Sequence, residues 1–447
     1  MKFSKHLAVV AVAIWATLTP IVTSAGPAVI RDAELEDIIQ GYMTPLLQVA
    51  GIAPGDVRLI LINQPDINAF VAGGMNIFVY TGLLRKAETP DEVIGVLAHE
   101  IGHIAGGHIA RLGSALENAS TQAIASAILG VAAAIASGRT DVGAAVTAGG
   151  QSSALRGVLA HTRTQESAAD QAAFRYLEGT GQSVQGIVDM LKRLSDQELL
   201  SSRYQDPYVR THPLSRDRLE TAKAFLSRSQ FKSAMRSTTD LERFRRIQAK
   251  LAAFIDPPSK TLSNYQNTGP IDRYARAIAH YRRGDLGQAI PLIDGLIASS
   301  PNDPFLHELK GQMLMENGRS AEAESSYNTA LQLRPGDPAI MLPAATAILE
   351  SRGDTAKAIQ ILQDVTFREP RNSSAWRQLG ISYGKQGNIG EASVALAEAE
   401  MLNGQKDNAV FQAKRAQHHL PKGSAGWLRA EDILRALSPK NGNDDKK

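Results

Sequence analysis

No cysteine occurs anywhere in the 447 residues. Its absence removes disulfide staples, thiolate zinc sites, iron–sulfur clusters and cysteine nucleophiles together. A metal site in this chain has to be built from His and carboxylate. An excess of charge is missing too: 48 Lys and Arg face 45 Asp and Glu, for a formal net charge of +3. That is too small a field to hold nucleic acid or an anionic membrane surface over the whole molecule, so partners must be recognised locally. Long hydrophobic runs are scarce. The first, Leu7 to Leu18, falls short of the ~20 apolar residues a spanning helix needs. What remains is ordinary globular composition, 43% hydrophobic and 21% charged, and at about 150 residues per domain the length predicts two to three domains.

Lys2 and Lys5 precede that apolar run, and Pro20, Thr23, Ser24 and Ala25 follow it. This is the three-part pattern of a secretory signal peptide cut near Ala25, and it implies an exported protein. Losing Lys2 and Lys5 leaves 46 basic against 45 acidic residues. A cysteine-free, exported chain fits a bacterial periplasm, where stray thiols are oxidised. Past the leader, VRLILI at 57–62 and NIFVY at 76–80 read as short strands of a small sheet. A helix opens at Thr89-Pro90-Asp91-Glu92 and runs to about Ala110. Further helices are expected at 164–177 and 185–193, with a polar returning loop at 204–219. The small-residue stretch 121–150 reads as a mobile lid, as a helix lying on a membrane or a client, or as a poorly packed surface segment. The helix 240–254 carries Arg243, Arg245, Arg246 and Lys250, a stripe expected to face solvent.

After Pro270 the chain repeats itself. Gly284, Gly318, Gly353 and Gly387 are spaced 34, 35 and 34 apart, and Ala289, Ala323, Ala358 and Ala392 follow five residues later. A period of 34 with small residues at fixed places is the tetratricopeptide signature, and Trp376, Leu379, Gly380 and Tyr383 reproduce its first-helix pattern. The expected organisation is a signal peptide at 1–25 and an α+β zincin-like metallopeptidase domain at 26–256, mostly helical with a small sheet. A linker at 257–270, an all-α tetratricopeptide solenoid at 271–437 and a disordered tail at 438–447 follow.

The chemistry lies in His99-Glu100-Ile101-Gly102-His103. At about 100° per residue, His103 returns to within about 40° of His99 on a helix, so both imidazoles can face one ion. Glu100 stands one step round, placed to act as a base. The apolar turn Val93–Ala98 before it argues for a buried helix, where an idle His-Glu-His would cost heavily in desolvation. A metzincin would continue to a third His, but that position holds Ile109. His108 would lie about 180° from His99 on a continuous helix, which argues against its being a ligand. Without cysteine the natural third ligand is a downstream acid, and Glu166 is the candidate. Asp170, four residues on, shares its face and can reach an adjacent histidine or the substrate. Small neighbours at 168, 169, 172 and 173 favour close helix packing over the alternative, a pair of exposed surface acids.

Asn68-Ala69-Phe70, Gly82-Leu83-Leu84, the HExxH pentad and Glu166-x-x-x-Asp170 occur in the order found in the HtpX and CAAX-prenyl-protease class of zinc peptidases, which this chain resembles over roughly residues 57–220. With a signal peptide and a tetratricopeptide tail in place of membrane spans, it is similar to the BepA-like group of periplasmic proteases and chaperones. The resemblance implies one Zn2+ held by His99, His103 and Glu166, Glu100 as base, and Asp170 at the proton-donor position. It also implies a loop histidine, His212, that gates the metal or serves as its fourth ligand. The clients implied are unfolded or misassembled outer-membrane proteins, with the outer-membrane assembly machinery docked through the repeats. Nucleic acid is not expected as a partner, and membrane contact would be peripheral. A second class of function stays open, a chaperone or docking module that holds clients with little cleavage.

Overall fold

The computed structural model describes residues 29–108, 153–195, 208–209, 212 and 216–438, with side chains from residue 163 onward in the helix Ser153–Gly179. The leader, the 121–150 stretch, most of the returning loop and the tail past residue 438 lie outside the described residues. No described helix is long and apolar enough to cross a membrane.

A four-stranded sheet opens the fold: β1 (Val29–Ile30), β2 (Arg58–Ile62), β3 (Ala69–Ala72) and β4 (Asn76–Tyr80), in spatial order β1-β2-β4-β3. β2 and β4 run parallel, with Leu59 beside Ile77 and Leu61 beside Val79, while β3 pairs antiparallel to β4. β4 is an inner strand, because β3 turns back on it through Gly73-Gly74, and β3 is the edge.

Alternation sends Leu61, Ile77 and Val79 into one core. There they meet Ile39, Met43, Leu46 and Leu47 of α1 (Ala33–Val49), and Val93 and Leu97 of α3 (Pro90–Ala105), which follows the short α2 (Thr81–Lys86). α3 stops five residues short of the expected end because Gly107 takes φ 61°, a left-handed conformation that reverses the chain.

The repeats form paired helices: Pro270–Arg282 with Leu286–Ser299, Pro304–Met315 with Ser320–Leu333, Pro338–Glu350 with Thr355–Arg368, and Ser373–Lys385 with Ile389–Leu402. Helices Lys406–His419 and Ala425–Leu437 follow. Asp303, Asp337 and Asn372 cap first helices by accepting from backbone N–H groups. The periodic alanines are buried, and a Cβ on Gly380 would meet Leu396 at 2.8 Å. The odd spacing of 35 has a local cause. In the third unit the left-handed turn residue is Arg352, φ 60°, one place before Gly353.

The helix Thr238–Ile255 serves both halves. Phe244, Ile247 and Leu251 enter the peptidase core, while Ala249 and Ala253 pack with Tyr274 and Ile278 of the first repeat. Its basic stripe is only partly a solvated face: Arg243 and Arg245 are exposed, but Arg246 and Lys250 turn inward. Lys250 is 1% exposed and paired with Asp32 at 2.7 Å and Glu34 at 3.2 Å. Arg246 pairs with Glu34 and with Asp303, and Arg243 reaches Asp37 at 2.7 Å. The stretch 257–270 contains a short helix, Pro258–Asn264.

Candidate metal centre

Proline at the first position and Asp91 and Glu92 in the first turn start α3, the acids complementing the helix dipole. Every residue from Glu92 to His103 is buried. The helix Ser153–Gly179 crosses it at Gly102: a Cβ there would lie 2.7 Å from the carbonyl oxygen of Ala169. That close approach sets the carboxylate of Glu166 between two imidazoles, 3.2 Å from His99 Nε2 and 3.3 Å from His103 Nε2. The two Nε2 atoms are 3.0 Å apart. His212 closes the fourth side, its Nδ1 3.2 Å from both Glu166 oxygens and 3.3 Å from His99 Nε2. The donor atoms of His99, His103, Glu166 and His212 all lie within 4.8 Å of one another.

The other ring nitrogens of His99 and His103 are occupied. His99 Nδ1 is 2.9 Å from Asp170 Oδ1. Arg218 clamps Asp170 with a fork, 2.7 and 2.8 Å, and reaches Glu166 at 3.0 Å. His103 Nδ1 is 2.9 Å from His108 Nδ1. Tyr208 stacks on His212 with ring centres 4.6 Å apart. Two imidazoles presenting Nε2 and one carboxylate, all buried, form a donor set suited to a divalent transition ion.

Electrostatics follow this geometry. Burial works against the Asp170 charge, but the His99 hydrogen bond and Arg218 outweigh it and hold the carboxyl at about 2. Glu166 is likewise kept well below the usual carboxylate range, against its burial, by the three histidines. Burial also opposes charge on His99, yet Asp170 and Glu166 raise it to about 10, whereas at His103 burial prevails and lowers it to about 3. Glu100 is raised by burial. Among the described residues neither of its carboxylate oxygens has a hydrogen-bond partner, although His212 Nε2 comes within 3.4 Å.

Every site residue expected from the sequence thus meets in one cluster. Sequence reasoning passes over Arg218 and Tyr208. Arg218 stands six residues after His212 in a polar, turn-rich stretch with no periodic signal. His108 is not in the donor set, as a place about 180° from His99 implies, but the reversal at Gly107 brings it against His103.

A buried HExxH helix, an acid-bearing helix across it and a run of helical hairpins define a metal-dependent peptidase with a tetratricopeptide tail. Residues 30–226 match Peptidase family M48, and residues 274–338 and 314–380 match tetratricopeptide-repeat families. The chain accordingly carries an M48 peptidase domain followed by tetratricopeptide repeats, and it is a metalloendopeptidase. It is 25% identical over 422 residues to a beta-barrel assembly-enhancing protease of Yersinia pestis, covering 93% of this chain and 86% of that one. The protein of the same name in Escherichia coli (strain K12) is 26% identical over 420 residues, 91% of this chain and 84% of its own. Metalloprotease YcaL of Escherichia coli (strain K12) is 31% identical over 156 residues, 35% of this chain and 56% of its own.

Proposed function

We propose that the protein is a periplasmic, zinc-dependent endopeptidase of unfolded or misassembled envelope proteins that also acts as a chaperone in outer-membrane protein assembly. In this reading the leader 1–25 is removed, 26–256 carries the chemistry, and 271–437 docks the assembly machinery. The observation that carries it is Glu100: a buried carboxylate without a hydrogen-bond partner among the described residues, beside three converging ligands. The periplasmic placement rests on the leader pattern and on relatives named for β-barrel assembly.

His99, His103 and Glu166 would hold one Zn2+, which when bound supplies Lewis-acid polarisation of the scissile carbonyl. Glu100, its proton affinity raised by burial, takes a proton from the attacking water and delivers it to the leaving amine. Asp170 has its carboxylate engaged by His99 and Arg218. We therefore assign it to orienting His99 rather than to donating a proton. The edge of β3 offers backbone groups to an extended segment by strand addition, which favours unfolded clients over compact ones.

Glu100→Gln should lower cleavage of an unfolded β-barrel protein about 100-fold or more while zinc content stays at that of the wild type. Cleavage at the wild-type rate would overturn the assignment. Full restoration of a deletion strain by the variant would favour the docking function instead.

A further inference from the structure

His108 lies outside the converging donor set, yet it is buried and its imidazole contacts a member of that set. It gets there by a chain reversal. α3 ends at Ala105, and Gly107, at φ 61°, turns the backbone so that the next side chain folds back along the helix. Gly106 leaves the room: a Cβ there would lie 2.4 Å from His108 Nε2. The result is an Nδ1–Nδ1 separation of 2.9 Å between His108 and His103, with the rings nearly perpendicular at 78°.

Only one proton fits between two nitrogens at that distance, so one ring donates and the other accepts. Were His108 the donor, His103 Nδ1 would be the bare nitrogen, its Nε2 would carry the proton, and no lone pair would face Glu166 and His99. Were His103 the donor, its Nε2 lone pair would point into the cluster, where the other ligand atoms converge. His99 solves the same problem differently, through the carboxylate of Asp170.

We infer that His108 is a positioning residue: it accepts the Nδ1–H of His103, fixing that ring's tautomer and orientation so that Nε2 is the metal-facing atom. The inference rests on the zinc reading of the site and extends it to a residue that touches neither metal nor substrate. Removing an outer-shell partner of this kind weakens metal affinity about 10- to 100-fold.

The test uses the full mature chain, with zinc affinity read by competition against a chelator and the thermal midpoint of the metal-free protein read in parallel. Asn places an amide oxygen near where Nδ1 stands, Gln carries it further out, and Leu supplies no acceptor. His108→Leu and His108→Gln should bind zinc about 10- to 100-fold more weakly, with His108→Asn within about threefold of the wild type. Equal affinity in the Leu variant, or Asn as weak as Gln, would overturn the inference. If the Leu variant does not fold, the Asn–Gln pair decides alone. Failure of the wild type to bind zinc would instead sink the metal assignment itself, which His99→Ala checks separately by abolishing binding.

Discussion

His212 closes one side of the donor cluster. Its Nδ1 is within 3.3 Å of His99 Nε2 and 3.2 Å of Glu166, and Tyr208 covers its ring. A catalytic metal keeps one position open for water or substrate, whereas structural sites are closed by a fourth protein ligand. In the proposed reading, the ring of His212 would complete such a closed set and hold the peptidase idle until a client displaces it. His212→Ala should therefore raise cleavage of an unfolded substrate severalfold without loss of bound zinc. Unchanged or slower cleavage, measured at equal zinc content, would show that the histidine works in the reaction rather than against it.

At the level of elements, the site exists because two helices come unusually close. Gly102, between the paired histidines, lets the helix Ser153–Gly179 lay the backbone of Ala169 where a side chain would otherwise stand, and so delivers Glu166. Backbone cannot yield as a flexible side chain does. Gly102→Ala should thus separate the helices, costing about 1–3 kcal/mol of stability and weakening zinc binding. A variant with wild-type midpoint and zinc affinity would show that the crossing is not under this constraint.

The same crossing explains how much could be read in advance. His99, Glu100 and His103 announce themselves by spacing, Glu166 by the lack of cysteine, and the hairpins by a 34-residue period. Periodicity speaks only for regular elements. His108 depends on one left-handed glycine, and Arg218 comes from a separate helix behind a loop. The edge role of β3 depends on a parallel β2–β4 pairing that no local pattern encodes. Arg246 and Lys250 of the basic stripe depart from a solvated face for a related reason: their counter-charges, Asp32, Glu34 and Asp303, lie far away in sequence.

Over the whole molecule those counter-charges tie the repeats to the peptidase fold. The described residues fall in one compact unit. Arg246 bridges Glu34 to Asp303, Arg31 reaches Glu369 at 2.7 Å, Arg334 reaches Asp37 at 2.7 Å, and Tyr274 donates its hydroxyl to Glu34. Acids outnumber bases around Lys250. Glu308 feels this most: burial, joined by Asp32, Glu34 and Asp337 and opposed by Lys250, pushes its carboxyl up to about 7. A carboxyl raised in the folded state holds its proton there while the unfolded chain has already released it. Between about 4.5 and 7 the folded state therefore binds more protons, and the stability this group contributes falls as pH rises. Glu308→Gln fixes the neutral form. Its thermal midpoint should match that of the wild type near pH 4.5 and exceed it at pH 8, in chelator so that the metal site does not contribute. The same gap at both pH values would mean that Glu308 titrates alike in folded and unfolded chains, and that the clasp between repeats and peptidase is insensitive to its charge.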